Sequence, residues 1–180
     1  MQILYRVRQF WHVLTAIPEP EDLFQMRQIL TTDLQQLFLR QQASEQAHSL
    51  KILYQLLDQR ENHQDLLVAA LIHDIGKTRH PLNACERVEV VLGQALFPKQ
   101  VKAWGNEKHQ GWRRAFVIAE QHSIWGAEMA AQAGASALTA SIIRRHHDPL
   151  ESDGSREVLN HPLSDEEQLI LKLQALDNHY

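Results

Sequence analysis

Apolar residues recur along this chain at the spacing of an α-helix, and the alternation that marks a half-buried β-strand is nearly absent. Only seven glycines and six prolines interrupt the 180 residues. The stretch QDLLVAALIH, residues 64–73, is apolar on almost every side, which is typical of a helix in the middle of a bundle. The pattern therefore predicts an all-α fold, a helical bundle.

The predicted helices follow one another along the whole chain. A first amphipathic helix ends before Pro18, and a second runs through Leu23, Met26, Leu30, Leu34 and Leu37. Residues 99–114, which are rich in tryptophan and glycine, predict a shorter helix followed by a loop. Ser164 and Glu167 fit a capping box at the start of the last helix. The remaining predicted helices cover residues 44–57, 64–73, 85–96, 121–133, 135–147 and 164–177.

The length predicts one domain, residues 1–180, in which helices of residues 1–43 pack on a core of residues 44–177. The net charge of −4 gives no support to an extended nucleic-acid surface. No apolar run of about 20 residues predicts a membrane span, and the N-terminus lacks the features of a signal peptide. A single cysteine, Cys85, excludes an internal disulfide, so the cytoplasm is the expected location; we expect Cys85 to be buried.

The motif LIHDIGK places a polar pair, His73 and Asp74, at the end of the most apolar helix. Such a pair is costly to bury unless something satisfies it, and a metal ion does so well, because imidazole nitrogen and carboxylate oxygen are standard ligands. Lys77 follows about one turn later, where a cation could meet a phosphate oxygen. Taken alone, the pair favours an ordinary helix end in which His73 and Lys77 complement the helix dipole; the wider set of residues reverses that preference.

Four further helices each present a ligand-type side chain from an apolar face. Helical phase places these residues on inward stripes: His48, His122, His146 with its neighbour His147, and Asp177. Burying so many polar groups without a shared purpose would cost several kcal/mol. Convergence on one metal centre in the core of the bundle removes that cost.

The order of these residues resembles the HD superfamily of metal-dependent phosphohydrolases, an all-α family named for its His-Asp pair. The resemblance covers about residues 44–177. It rests on AALIHDIGK, on AEQHSIWGAEMA before a helix that ends in RRHH, and on the closing LKLQALDN.

The resemblance implies His48, His73, Asp74 and Asp177 as ligands of a primary divalent metal. In members with two metals, further histidines lie between the pair and the last aspartate, and here His122, His146 and His147 occupy those places. Asp74 would then bridge two ions. One or two ions are therefore expected, with two favoured, and their identity among Fe, Mn, Ni, Co, Zn and Mg is open.

The implied activity is hydrolysis of a phosphoester or phosphoanhydride of a nucleotide or related small molecule by a metal-activated water. The histidine pattern is similar to the subgroups that cleave dinucleoside polyphosphates or cyclic dinucleotides, but the GYP signature of the latter is absent. Asp74 and Lys77 are the expected catalytic residues. Lys77, Arg144 and Arg145 are candidates for binding the substrate phosphate, although a surface role fits the two arginines equally well.

Three alternatives remain at this stage: an HD-type di-iron oxygenase, a metal-binding regulatory module without turnover, and a metal-free bundle. The segment 95–114 matches nothing general to the family, and either lines the substrate pocket or covers the core. The first helix, with Phe10 and Trp11, is a candidate contact for a homodimer.

Overall fold

The computed structural model describes residues 17–105, 111–148 and 163–177. All regular structure in these residues is helical, which confirms the predicted all-α class. They form nine α-helices: α1 Pro20–Ile29, α2 Thr32–Arg40, α3 Ala43–Asp58, α4 Gln64–Ile72, α5 Ala84–Leu96, α6 Pro98–Gly105, α7 Arg114–Gln132, α8 Ala137–Arg145 and α9 Asp165–Asp177. Two short 3₁₀ helices lie at Ile75–Arg79 and Gly111–Arg113.

Helix α4 is the centre of the fold. Every residue from Leu66 to Ile72 is buried, as its continuous apolar sequence requires. Helices α1, α2, α3, α8 and α9 all pack against it. Two side chains also fasten the N-terminal helices to α4, because Gln41 donates to the Leu71 carbonyl and Gln64 donates to the Ile29 carbonyl.

The chain leaves α4 at His73 and enters the first 3₁₀ helix directly after Asp74. This 3₁₀ segment packs against α7 at very close range. A Cβ atom at Gly76 would lie only 1.9 Å from the carbonyl oxygen of His122. The glycine in the HDIGK motif therefore allows the two segments to touch backbone to backbone.

Helices α5 and α6 form a smaller apolar cluster with the first part of α7. Its buried members are Val90, Val101, Ala115 and Phe116. The ring of Trp104 packs against the rings of Trp112 and Phe116, and the centroid distance is 5.1 Å in each pair. The described part of segment 95–114 therefore packs over the start of α7.

Three predictions about local structure are wrong. The second predicted helix is two helices, because Leu30 and Thr31 adopt extended backbone between α1 and α2. Helix α7 begins at Arg114, seven residues before the predicted start at residue 121. Cys85 is exposed, because it lies in the first turn of α5 outside both apolar clusters.

The first predicted helix, including Phe10 and Trp11, lies outside the described residues. The capping box of the last helix is present, since Glu167 accepts from the Ser164 backbone and donates its own N–H to the Ser164 hydroxyl. In the described parts of the chain, no helix is long and apolar enough to cross a membrane.

Candidate metal centre

One group of side chains meets where α3, α4 and α9 approach each other. His48 Nε2 lies 2.9 Å from Asp177 Oδ1, and His73 Nε2 lies 3.5 Å from the same oxygen. The ligand atoms of His48, His73 and Asp74 all fall within 4.8 Å of one another. Residues 129 positions apart in the sequence thus face a common point.

A second group is formed by α7 and the end of α8. The ligand atoms of His122, His146 and His147 also lie within 4.8 Å of one another. His122 and His146 are buried, whereas His147 is exposed. The ring of His147 nevertheless packs 4.0 Å from that of His146, so the residue closes the group on its solvent side.

Asp74 lies between the two groups. Its Oδ2 atom is 3.7 Å from His73 Nε2, and its Oδ1 atom is 3.1 Å from His122 Nε2. Each oxygen of this buried carboxylate therefore faces a different group. Such an arrangement is what a carboxylate shared by two metal ions requires.

Backbone carbonyls orient three of the histidines. Nδ1 of His73 donates to the Ala70 carbonyl at 3.0 Å, Nδ1 of His122 to the Ala119 carbonyl at 2.8 Å, and Nδ1 of His146 to the Ile143 carbonyl at 2.6 Å. A carbonyl only accepts, so each Nδ1 must carry the proton. In the neutral rings, Nε2 then presents a lone pair toward the cluster, which is how metal-binding histidines are commonly held.

Two buried nitrogens lack any hydrogen-bond partner among the described residues: Nε2 of His73 and Nε2 of His146. Orphaned buried polar atoms are rare in folded proteins and call for an explanation such as a missing ion. One orphan belongs to each ligand group. The donor set of imidazole nitrogens and carboxylate oxygens therefore fits a metal centre with two positions.

The protonation states follow from burial and neighbouring charges. Burial, then the proximity of His147 and the other histidines, holds the pKa of His146 well below its usual range. Although part of His147 is exposed, its ring packs against that of His146, and desolvation of the ring together with the neighbouring His122 lowers the pKa of His147 to about 4. Both rings are neutral at pH 7 and keep their lone pairs.

The carboxylates keep their charge despite burial. Burial raises the pKa of Asp74, but Lys77 and His73 outweigh it and hold the pKa well below the usual value. Burial also raises the pKa of Asp177, but the hydrogen bond from His48 and the nearby His73 outweigh burial and lower that pKa. In the metal-free cluster, burial opposes the charge on His73, yet Asp74 and Asp177 raise its pKa to about 9.

The structure brings one of the three predicted phosphate-binding cations to the cluster. Lys77 Nζ lies 2.6 Å from Asp74 Oδ2. Arg145 instead pairs with Glu166 at 2.6 Å and with Asp148 at 3.2 Å, and Arg144 is exposed. Of the three, Lys77 is thus the one whose contacts place it beside the ligand groups.

Two residues beside the site were not among those predicted from the sequence: Glu45 and Arg87. Glu45 is buried on α3, three residues before His48, so helical phase could have indicated its inward position. Arg87 reaches it from α5, with Nη2 2.9 Å from Glu45 Oε1. No local pattern indicates that contact, because it joins residues 42 positions apart.

Residues 41–178 match the family model of the HD domain. This range contains all seven candidate ligands, from His48 to Asp177. No curated protein and no solved structure matches the chain at a significant level.

Proposed function

The chain belongs to the HD domain family, and we propose that it is a metal-dependent phosphohydrolase acting on a nucleotide or a related small phosphorylated molecule. Most members of this family are hydrolases that bind divalent metals. The observation that carries the proposal is the pair of three-residue ligand groups linked by Asp74. Two-metal sites are characteristic of enzymes that cleave phosphate esters and anhydrides.

In the proposed site, His48, His73, Asp74 and Asp177 would hold the first ion. His122, His146 and His147 would hold the second, with Asp74 shared between the two groups. A divalent ion supplies Lewis-acid chemistry, lowering the pKa of a water molecule and withdrawing negative charge from phosphoryl oxygens. The mixed nitrogen and oxygen ligands suit Mn, Fe, Co, Ni or Zn better than Mg, which prefers oxygen.

Lys77 is positioned to contact the substrate. Although burial opposes its charge, Asp74 raises the pKa of Lys77 above its ordinary value, so the ammonium group stays protonated. Its side chain is 28% exposed, whereas that of Asp74 is 6% exposed, so the amine lies on the solvent side of the carboxylate. There it can stabilise the charge that develops on phosphoryl oxygens during attack.

Asp74 has a second role in the proposed reaction. Its two oxygens point to the two ligand groups, and Lys77 fixes the carboxylate from one side. Such a fixed acceptor can orient the attacking water through a hydrogen bond. Preorganisation of this kind lowers the reorganisation required when charge moves in the transition state.

The test is a substrate screen with protein reconstituted separately with each divalent metal. The panel contains nucleoside mono- and triphosphates, dinucleoside polyphosphates, cyclic nucleotides and simple phosphoesters. We expect metal-dependent release of phosphate or nucleotide from at least one class, and a loss of about a thousandfold or more in His73→Ala. The matched control is His63→Ala, since His63 is 42% exposed at the start of α4 and outside the cluster.

Activity that survives in His73→Ala would reject the assignment of the site. Oxygen uptake by iron-loaded protein, without hydrolysis, would identify an oxygenase instead. Tight metal binding without turnover on any of the phosphoesters would identify a regulatory module.

A further inference from the structure

A third carboxylate, Glu45, lies on the same helix as the candidate ligand His48. It is three residues before His48 on α3, so both side chains project from the same face of that helix. Glu45 is 8% exposed. A carboxylate buried to this extent is costly unless a cation lies beside it.

Two cations from different elements interact with this carboxylate. Arg87 on α5 places Nη2 2.9 Å from Glu45 Oε1, and the same nitrogen donates a hydrogen bond to Gln42 Oε1. Lys77 is the other cation: burial opposes its charge, but Asp74 and then Glu45 raise its pKa. Glu45 therefore holds Arg87 by direct contact, and its charge also acts on Lys77.

The cations lie on the outer side of this arrangement. The side chains of Arg87 and Lys77 are 18% and 28% exposed, whereas those of Glu45 and Asp74 are 9% and 6% exposed. A molecule that approaches from solvent thus meets the cations before the carboxylates. Arginine suits such a position because its planar group donates two parallel hydrogen bonds to one phosphate.

The charge balance favours an anionic ligand once metal is bound. With neutral histidines, the region holds three carboxylates, Glu45, Asp74 and Asp177, against the two cations Lys77 and Arg87. Each divalent ion adds two positive charges, so the loaded region is positive overall. A group with several negative charges is the complementary ligand.

We infer that Arg87 binds a second, non-reacting phosphate group of the substrate, next to the phosphoryl group that Lys77 contacts. The inference rests on the proposed function and narrows its substrate class to molecules with at least two linked phosphates. Arg87 is held by Glu45 and Lys77 by Asp74, so the two cations sit on different carboxylates and would contact different oxygens of the polyphosphate. Glu45 acts as a positioning residue that holds the guanidinium group in place.

The experiment compares Arg87→Gln and Arg87→Lys with the wild type on two substrates. One substrate is a polyphosphate that the wild type hydrolyses, such as ADP, and the other is the single-phosphate ester p-nitrophenyl phosphate. For the polyphosphate we expect KM to rise about tenfold in Arg87→Gln, because the variant loses one charge-assisted contact to the phosphate. The value of kcat should change by about twofold or less. KM for the single-phosphate ester should stay within about twofold of the wild type. Arg87→Lys, which keeps the charge and the contact to Glu45, should give an intermediate KM.

Binding of a non-hydrolysable α,β-methylene analogue of ADP, measured by calorimetry at saturating metal, provides a readout independent of turnover. The dissociation constant should rise about tenfold in Arg87→Gln. The matched control is Arg114→Gln. This variant removes the ion pair between Arg114 on α7 and Glu86, the residue before Arg87 on α5, and leaves Arg87 itself in place. That variant should bind the analogue as the wild type does.

The outcomes separate the inference from the proposed function. If the wild type cleaves polyphosphates and Arg87→Gln leaves KM and analogue binding unchanged, the inference is overturned and the function stands. If Arg114→Gln weakens binding as much as Arg87→Gln, the effect is structural and the inference is overturned as well. If no phosphoester is cleaved, the proposed function fails, and selective loss of analogue binding in Arg87→Gln would still support the anion site.

Discussion

At the scale of single residues, Gly76 determines how closely the His-Asp pair approaches α7. A Cβ atom there would lie 1.9 Å from the His122 carbonyl oxygen and 2.7 Å from the Gly126 nitrogen. Both obstacles are backbone atoms, so a larger side chain cannot be accommodated by a rotamer change. Because His122 belongs to one ligand group and Asp74 links both, this contact sets the distance between the groups.

Gly76→Ala is therefore expected to separate α7 from the 3₁₀ helix. Overpacking of this severity should lower the free energy of unfolding by about 3 kcal/mol or more, and metal binding should weaken with it. The comparison is Gly126→Ala, because a Cβ atom at that position would meet no atom closer than 3.2 Å. Chemical denaturation and metal content measure both effects. Equal stability of the two variants would contradict the proposed close contact.

His146 shows how a ligand can lower the stability of the metal-free protein. Its Nε2 atom is buried without a partner, and its residue is 2% exposed. Replacing it with leucine, of similar volume, removes this unsatisfied atom, a gain of about 1–3 kcal/mol, but also removes the hydrogen bond from Nδ1 to the Ile143 carbonyl, a loss of about 1 kcal/mol. His146→Leu should therefore leave the stability of the chelator-treated protein unchanged or raise it by up to about 1 kcal/mol, and should abolish the additional stabilisation from the second ion. Thermal unfolding with and without metal measures both, and a less stable metal-free variant would contradict the expectation.

At the scale of elements, local sequence determined some helices and tertiary packing determined others. Helices α3 and α4 begin and end within about one residue of their predicted bounds, because their apolar stripes and flanking polar segments are unambiguous. The break between α1 and α2 was not predictable from periodicity, since Leu30 and Leu34 keep the same spacing across it. The break allows both helices to bury those leucines against α4, a gain that only the assembled bundle provides.

The link between α4 and α8 depends on Asp65. Burial raises the pKa of this carboxyl group, but hydrogen bonds from the hydroxyl groups of Ser136 and Thr139 outweigh it and lower the pKa below its ordinary value. The Thr139 hydroxyl donates at 2.8 Å, and Ser136 also caps α8. These contacts fasten the first turn of α4 to the first turn of α8, the helix that ends in His146.

Asp65→Asn is expected to destabilise the protein by about 2 kcal/mol at pH 7, because hydrogen bonds to a charged acceptor are replaced by weaker ones. A carboxyl group whose pKa is lowered in the folded state stabilises the protein at pH values above its unfolded-state pKa, which is near 3.8 for Asp65. This stabilisation is lost as the pH falls through the pKa of the folded state. The difference between variant and wild type should therefore shrink below pH 4. Asp33→Asn, in the exposed first turn of α2, is the control and should cost about 0.5 kcal/mol. A difference that stays constant down to acid pH would refute the role of the charge.

At the scale of the whole molecule, helical phase indicated which residues face inward, and the fold determined which of them meet. His48, His122, His146 and Asp177 each lie on an apolar stripe that can be read locally, so their convergence could be predicted. Arg87 and Glu45 could not be paired in advance, because they lie 42 positions apart on two helices whose relative placement only the folded bundle fixes. Long-range contacts between polar side chains leave no periodic trace in the sequence.

Because the ligands come from α3, α4, α7, α8 and α9, metal should stabilise the entire bundle. An ion present at a hundred times its dissociation constant contributes about 2.7 kcal/mol, which corresponds to a rise of roughly 5–10 °C in Tm for a domain of this size. Chelator should remove that increment reversibly.

His147→Ala, which truncates the exposed ligand of the second group, should lose one of two metal equivalents and keep the stabilisation from the first. His73→Ala should lose the stabilisation from the first ion. Metal content by mass spectrometry and Tm by calorimetry test this order, and an unchanged Tm after chelation would show that the bundle stands without metal.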